Sequence, residues 1–273
     1  MKATVFLGGG RITSALIAGL RLAKYNRPII VHDRHLKKVQ QLRRLYNVAI
    51  EVDLQRAVEA ARLLFIAVRP ASVHGLLREI GTIGSPLNVV SLAAGIPLLQ
   101  LKAGLGSPVR WARAMPSPVC RTRQGLSALA FGRDFPKSAR VEVKNLFALV
   151  GPVLEIPERQ FDAFTVTYSS SHGYHALASL IKAAEAIGLD RKSAQKAAAH
   201  ALADGIATWR AGNLPLEVLV REAATPGGIA AAVIASLDDA GYHRVIARAL
   251  RAGIRQARKN SMLMRRPTTK KSQ

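Results

Sequence analysis

The chain is poor in cysteine, aromatics and acids, and each shortage excludes something. Its one cysteine, Cys120, rules out a disulfide within the chain and fits a reducing compartment. No dedicated base lies near it in sequence, so Cys120 reads as a small buried hydrophobe rather than a nucleophile. Aromatic residues make up 5% of the 273 positions, too few for base stacking along a single strand, which argues against specific nucleic-acid binding. Acids number 17 against 40 lysines and arginines, a formal net charge of +23. Such a balance attracts anions of many kinds, from nucleotides and acidic metabolites to nucleic acid, and names none of them. No apolar run approaches the roughly 20 residues of a membrane span, and no leader pattern precedes the first strand-like run. A cytoplasmic protein with no membrane partner is expected, and no metal site is assigned.

What is present points to two domains, since 273 residues exceed the usual single-domain size. At the start, Ala3 to Leu7 is β-branched and aromatic, Gly8-Gly9-Gly10 follow, and the residues from Ser14 carry apolar side chains at helical spacing. This is strand, tight turn and helix, the outline of a dinucleotide site. Glycine lets the backbone turn sharply and a pyrophosphate approach, while the helix N-terminus holds its charge. The spacing is Gly8-x-Gly10-x-x-Thr13, with no third glycine. A second strand, Pro28 to His32, ends on Asp33-Arg34, where such folds meet the adenosine ribose. Asp33 favours the 2′-hydroxyl of NAD, and Arg34 suits the 2′-phosphate of NADP.

Strands and helices then alternate. Strands are expected at Val48–Val52, Leu63–Val68, Leu87–Leu92 and Val109–Met115, with later ones at Leu126–Ala130 and Val153–Ile156 around a helix from Ser138 to Val150. This is a doubly wound α/β pattern. Near Glu158 the character changes. Helical spacing runs through Ala176–Gly188, Asp190–Gly212, Leu216–Ala224, Gly227–Ala240 and Tyr242–Met264, with Asp190 as an N-cap and Pro226 in a first turn. The expected divisions are a dinucleotide-binding domain over 1–158, a helical substrate and dimerisation domain over 159–264, and a basic disordered tail over 265–273. Helices apolar around much of their circumference suit a bundle completed by another chain.

With these landmarks placed, the chain resembles the pyrroline-5-carboxylate reductase family over nearly its whole length. Phe6 to Ile12 is similar to the family's Gly-x-Gly-Asn-Met turn, and Ala67-Val68-Arg69-Pro70 to its Ala-Val-Lys-Pro. Ser91 to Pro97 nearly repeats Ser-Ile-Ala-Ala-Gly-Ile-Pro, and Arg113-Ala114-Met115-Pro116-Ser117 resembles Arg-Ala-Met-Pro-Asn. Thr225-Pro226-Gly227-Gly228 and Asp239 to Tyr242 resemble Ser-Pro-Gly-Gly-Thr-Thr and the later Gly-Gly-Phe. The resemblance implies a Rossmann-type parallel sheet followed by an all-helical dimerisation domain, and NAD(P)H-dependent reduction of the cyclic imine Δ1-pyrroline-5-carboxylate to proline, the last step of proline biosynthesis. It also implies a homodimer, or a higher oligomer, through the helical domain.

On this basis Gly8, Gly10, Arg11, Ile12, Asp33, Arg34, Ala67, Val68, Arg69, Pro70 and Ala94 are assigned to an NADP or NAD cofactor. Met115, Ser117, Ser170, Pro226, Gly227, Gly228 and Ala230 are assigned to a small cyclic imine acid. The helix expected to open at Thr225-Pro226-Gly227-Gly228 offers unpaired N–H groups to the substrate carboxylate. The departures concern the imine. Where the family has Ser-Gly-Ser-Gly-Pro-Ala-Tyr, this chain has Tyr168-Ser169-Ser170-Ser171-His172-Gly173-Tyr174, and Ala230 stands in place of a threonine whose hydroxyl meets the imine nitrogen. His172, Ser171 or Thr225 is the expected substitute. The altered motifs put activity in question, and a non-catalytic dinucleotide-binding homologue acting as sensor or partner protein is the alternative.

Overall fold

A computed structural model of the protein describes residues 2–263. By its contacts the chain divides into two compact units, one running up to Val166 and resuming at Gly253, the other spanning Thr167–Ala252. The expected basic tail from Arg265 to Gln273 lies outside the described residues.

The first unit is built on an eight-stranded sheet of order β3-β2-β1-β4-β5-β6-β7-β8. Its strands are β1 (Ala3–Leu7), β2 (Ile29–His32), β3 (Ala49–Ile50), β4 (Ala61–Ile66), β5 (Leu87–Ser91), β6 (Val109–Met115), β7 (Ser127–Phe131) and β8 (Val153–Glu155). All neighbours run parallel except β6 and β7. Helices α1 (Arg11–Leu22), α2 (Leu36–Tyr46), α3 (Leu54–Glu59), α4 (Pro70–Ile80), α5 (Leu98–Gly104) and α6 (Lys137–Ala148) join them.

Alternation along the strands explains the two layers. Phe6, Phe65 and Val90 point to one face and pack with Leu16 of α1, Val39 of α2 and Phe147 of α6. Val5, Leu7, Leu64, Ile66 and Val89 point to the other, against Ala57 of α3, Val73 of α4 and Leu101 of α5. Phe6 and Phe65 stack with centroids 4.6 Å apart, and the Phe147 ring meets Phe65 edge-on at 6.0 Å. Each such ring, fully buried, contributes about 1.5–3 kcal/mol.

Several expected boundaries move. The apolar run expected to be a strand over Leu63–Val68 pairs from Ala61 and stops at Ile66, because its neighbour β1 ends opposite at Leu7. Ala67 and Val68 are apolar because they pack against the two core layers from the loop. The strand expected over Val48–Val52 shrinks to two residues at the sheet edge. An additional helix, α7 (Glu158–Thr167), follows β8, and its Phe161 and Phe164 pack with Ala128, Ala130 and Met115.

The second unit holds α8 (Ser170–Ala186), α9 (Arg191–Ala211), α10 (Leu216–Ala223), α11 (Ile229–Asp239) and the first half of α12 (Tyr242–Leu263). Helix α8 starts six residues before the apolar periodicity does, so Ser171 and His172 are helical. Asp190 is the expected N-cap of α9, its Oδ1 accepting from the N–H groups of Lys192 and Ser193. The hydrogen bond of Ser193 is the main reason this carboxyl stays below its ordinary pKa. Pro226 is not in a helical first turn. It sits in a tight turn closed by Gly228 N–H to Thr225 O, at 2.9 Å, in which Gly227 takes φ +75°, and α11 begins one residue later. A left-handed residue cannot extend a helix, so the proline belongs to the turn.

Candidate functional site

Strand order reverses between β1 and β4, and ligands of open parallel sheets bind at such a point beyond the strands' carboxyl ends. There Gly8 follows β1 with φ +115°, and a Cβ on it would lie 2.6 Å from the Ala67 carbonyl oxygen. Glycine is thus required for both the turn and the close approach of the two strand ends. Gly10 is the N-cap of α1 and offers no side chain, and the first turn holds no acid. The first intrahelical bond runs from Ser14 N–H to Gly10 O, which leaves the N–H groups of Arg11, Ile12 and Thr13 to an outside acceptor. Beyond Gly10 the space is open. The place of the missing third glycine is filled by Thr13, fully buried, whose hydroxyl donates to Gly8 O at 2.6 Å and closes the loop on itself. Ile12 packs its side chain into the core, so its contribution to a ligand is the N–H.

Asp33 braces the same turn. Its Oδ2 accepts from Gly9 N–H at 2.8 Å and its Oδ1 from His35 N–H at 2.8 Å, with the His35 ring 3.0 Å away. Burial pushes this carboxyl's pKa up, but the bonds from His35 and Gly9 and the charge of Lys38 outweigh it and hold it below the usual range. Arg34 is exposed and ion-paired to Glu79 of α4. Together with His32, Asp33, Val52 and Leu54, these two residues line a groove of about 590 Å³. Glu79 had no signal in the sequence, because it lies 45 residues from its partner.

The remaining predicted residues of this unit gather at the same end of the sheet. Ala67 N–H donates to Leu7 O at 2.8 Å, Arg69 caps α4, and Pro70 is its first residue, where a missing N–H costs nothing. Ala94 O accepts from the Asn260 amide at 3.3 Å, and Gly95 lies so close to Ala257 that a Cβ would meet its carbonyl at 2.6 Å. Gln100 also bonds Ser261, at 2.7 Å. The end of α12 therefore clamps the Ala94 loop, a contact that sequence reasoning missed.

Met115, half-buried at the end of β6, packs with the Phe161 cluster. The Ser117 hydroxyl accepts from Val119 N–H and caps the short 3-10 turn Pro118–Thr122. Cys120, inside that turn, is buried, and burial pushes its thiol up to about 12, so it is no nucleophile near neutral pH. Arg113, 1% exposed, is held by Asp162 at 2.7 Å, faces Glu158 at 3.6 Å, and lies over the Phe161 ring. Glu158 in turn accepts from Leu98 N–H at the start of α5. This anchor joins α7 and α5 to the sheet just below Met115.

The second unit carries the other predicted residues in two separate turns. Ser171 and His172 are exposed in the first turn of α8, which also contains Ser170, and the Ser171 and Ser169 hydroxyls are 2.5 Å apart. Thr225, Pro226 and Gly227 form the exposed turn before α11. The α11 N-cap is Gly228, with no side-chain cap and no acid in the first turn, so the N–H groups of Ile229, Ala230 and Ala231 are available to an anion. Among the described residues no cluster of His, Cys, Asp or Glu could hold a metal, and no helix is long and apolar enough to cross a membrane.

The α1 end therefore fits a dinucleotide: a bare, uncapped helix start at the sheet's reversal, open space before it, and an adjoining groove of adenosine size. Comparisons with known proteins agree. Residues 4–95 match the family described as NADP oxidoreductase coenzyme F420-dependent, and residues 158–260 match pyrroline-5-carboxylate reductase dimerisation. The pyrroline-5-carboxylate reductase of Corynebacterium melassecola is 33% identical over 261 residues, covering 92% of this chain and 96% of that protein. That of Mycobacterium tuberculosis is 30% identical over 281 residues, covering 92% and 94%. Among solved structures, Plasmodium falciparum pyrroline carboxylate reductase with NADP bound superposes with a TM-score of 0.83 at 19% identity, covering 95% of this chain and 98% of that one. The Streptococcus pyogenes 1-pyrroline-5-carboxylate reductase gives 0.85 at 20% identity, covering 94% and 98%. With a Rossmann-type sheet, a helical second unit and this degree of identity along nearly its full length, the chain belongs to the pyrroline-5-carboxylate reductase family.

Proposed function

We propose that the protein reduces Δ1-pyrroline-5-carboxylate, or a closely related cyclic imine acid, to the corresponding amino acid with NAD(P)H, as a homodimer or larger assembly formed through its helical unit. The observation that carries this reading is the uncapped start of α1 at the β1/β4 reversal, in a chain of this family. The N–H groups of Arg11, Ile12 and Thr13 hold the cofactor diphosphate, and the exposed guanidinium of Arg11 adds charge beside them. The loops at Ala67–Pro70 and Ala94 border the cofactor from β4 and β5. Bound NAD(P)H supplies the hydride.

The α11 start holds the substrate carboxylate on the N–H groups of Ile229, Ala230 and Ala231, behind the Pro226-Gly227-Gly228 turn, and Met115, Ser117 and Ser170 complete the substrate pocket. At the imine nitrogen, where Ala230 brings no hydroxyl, His172, Ser171 or Thr225 supplies the polar group that holds the proton. Orientation of the two reactants does most of the work, since the hydride chemistry is the cofactor's. The assembly follows from what the helical unit leaves uncovered: α10 and α11 bury no residue, and the 21-residue α9 buries two alanines.

Oxidation of NADPH and NADH on adding Δ1-pyrroline-5-carboxylate tests the reading. Turnover that depends on the imine is expected, and tight cofactor binding without turnover on any small cyclic imine acid favours a non-catalytic homologue instead. His172→Ala is expected to lower kcat and alter its pH profile. If both stay unchanged, the proton is held by Ser171 or Thr225.

A further inference from the structure

Resting on the dinucleotide reading above, we propose that Arg34 selects NADPH over NADH by binding the 2′-phosphate, and that Glu79 is the counter-ion it exchanges in doing so. The sequence sets Asp33 and Arg34 side by side with opposite implications, and the structure separates them. The Asp33 carboxylate is turned inward, its side chain 14% exposed, with donors from Gly9 and His35 already on both oxygens. A carboxylate so engaged holds the glycine turn in shape and is poorly placed to accept from a ribose diol arriving from solvent.

Arg34 is the opposite case. Its side chain is 71% exposed, it lines the groove of about 590 Å³ beside the end of β2, and its one recorded ion-pair partner is Glu79 on the facing end of α4. That end of α4 is fixed by Gln55, whose amide donates to the Glu79 carbonyl oxygen at 2.9 Å. Of the acids on the groove, Asp33 is committed to Gly9 and His35, and Asp53 caps α3 through the Arg56 N–H, which leaves Glu79 to meet Arg34.

An exposed pair of this kind contributes little and is readily exchanged. A phosphate offers a guanidinium more charge and a two-point geometry. Lys38, whose charge already reaches Asp33, strengthens the positive field on that side. In an NADH complex Arg34 keeps Glu79 and gains nothing, so the preference arises from the phosphate alone.

Equilibrium binding of NADPH and NADH, read by nicotinamide fluorescence, tests this without turnover, with adenosine 2′-monophosphate and adenosine 5′-monophosphate as fragment competitors. The protein is expected to bind NADPH about tenfold or more tightly than NADH, as one charge-assisted phosphate contact provides, and the 2′-phosphate fragment to compete better than the 5′. Arg34→Leu should erase that margin and leave NADH affinity unchanged. Glu79→Gln should tighten NADPH by roughly two- to fivefold at low salt, where a competing charge is felt most, with NADH unaffected. Asp33→Asn should weaken both cofactors alike. Equal affinity for the two cofactors, tighter NADH, or an Arg34→Leu variant that loses both to the same degree overturns the inference while leaving the dinucleotide reading intact. Binding of neither cofactor overturns both.

Discussion

In the α/β unit, β1 buries all five of its side chains between two helical layers, whereas in the helical unit α11 buries none of its eleven. Both segments are rich in apolar residues, so composition does not separate them. The difference is where the complementary surface comes from. For β1 it is supplied by elements within the same unit, through α1, α4 and the neighbouring strands. For α11 it is absent from the unit, and Ile229, at 88% exposure, Val233 and Leu237 form one apolar face at i, i+4 and i+8. A contiguous exposed face of this kind marks an interaction surface, in line with the match of residues 158–260 to a dimerisation family.

The contrast can be broken most decisively at Val233. Val233→Asp places a charge where a partner helix is expected, and an unpaired buried charge costs more than about 3 kcal/mol. Sedimentation velocity should show a monomer, and circular dichroism the loss of helix from the second unit with the first retained. An intact dimer would mean that α11 faces solvent in the assembly and that the two units differ for some other reason.

Gly8→Ala probes the self-contained unit. A left-handed φ for a residue with a Cβ costs roughly 1–3 kcal/mol, and the added contact with the Ala67 carbonyl forces the β1 and β4 ends apart. Lower thermal stability and loss of cofactor binding should appear together, while the oligomeric state is retained.

A smaller effect is expected from pH. Because the Asp33 pKa is lowered in the folded protein, its contribution is complete above the unfolded value of about 3.9 and is lost as pH falls through the folded one. The urea midpoint of the unaltered protein should therefore exceed that of Asp33→Asn at pH 7, and the gap should close in acid. A gap independent of pH would show that the carboxylate's charge is not what holds Gly9. The smallest expected signal is at Cys120: with its thiol buried and shifted to about 12, native protein should not react with a thiol reagent at pH 8, and unfolding should release one equivalent. Rapid native labelling would mean that the Pro118–Thr122 turn opens.

Much of the architecture was legible because its signals are local. The glycine turn shows as a strand pattern, a break and a helical period within about 20 residues, and Asp190 as a cap directly before one. Boundaries failed where a neighbour decided them. Ala67 and Val68 continue an apolar run but leave the sheet because β1 has ended. Pro226 looks like a helix start, yet the positive φ of Gly227 places it in the preceding turn. The site was legible as a set of motifs, not as a set of roles. Thr13 fills the third-glycine place through a hydrogen bond to Gly8 that no spacing rule contains, and Ser117, assigned to the substrate, also caps a turn.

By itself the sequence determined the order of elements, the nucleotide-type turn and the apolar faces of the helices, since each depends on residues a few positions apart and on backbone preferences they carry with them. The tertiary structure alone decided that Asp33 faces inward while Arg34 faces the groove, that Arg113 is buried beneath α7, and that Asn260 returns to hold Ala94 from 166 residues away. Those outcomes depend on which distant groups satisfy a buried charge or an open carbonyl, and packing settles that after the local elements have formed.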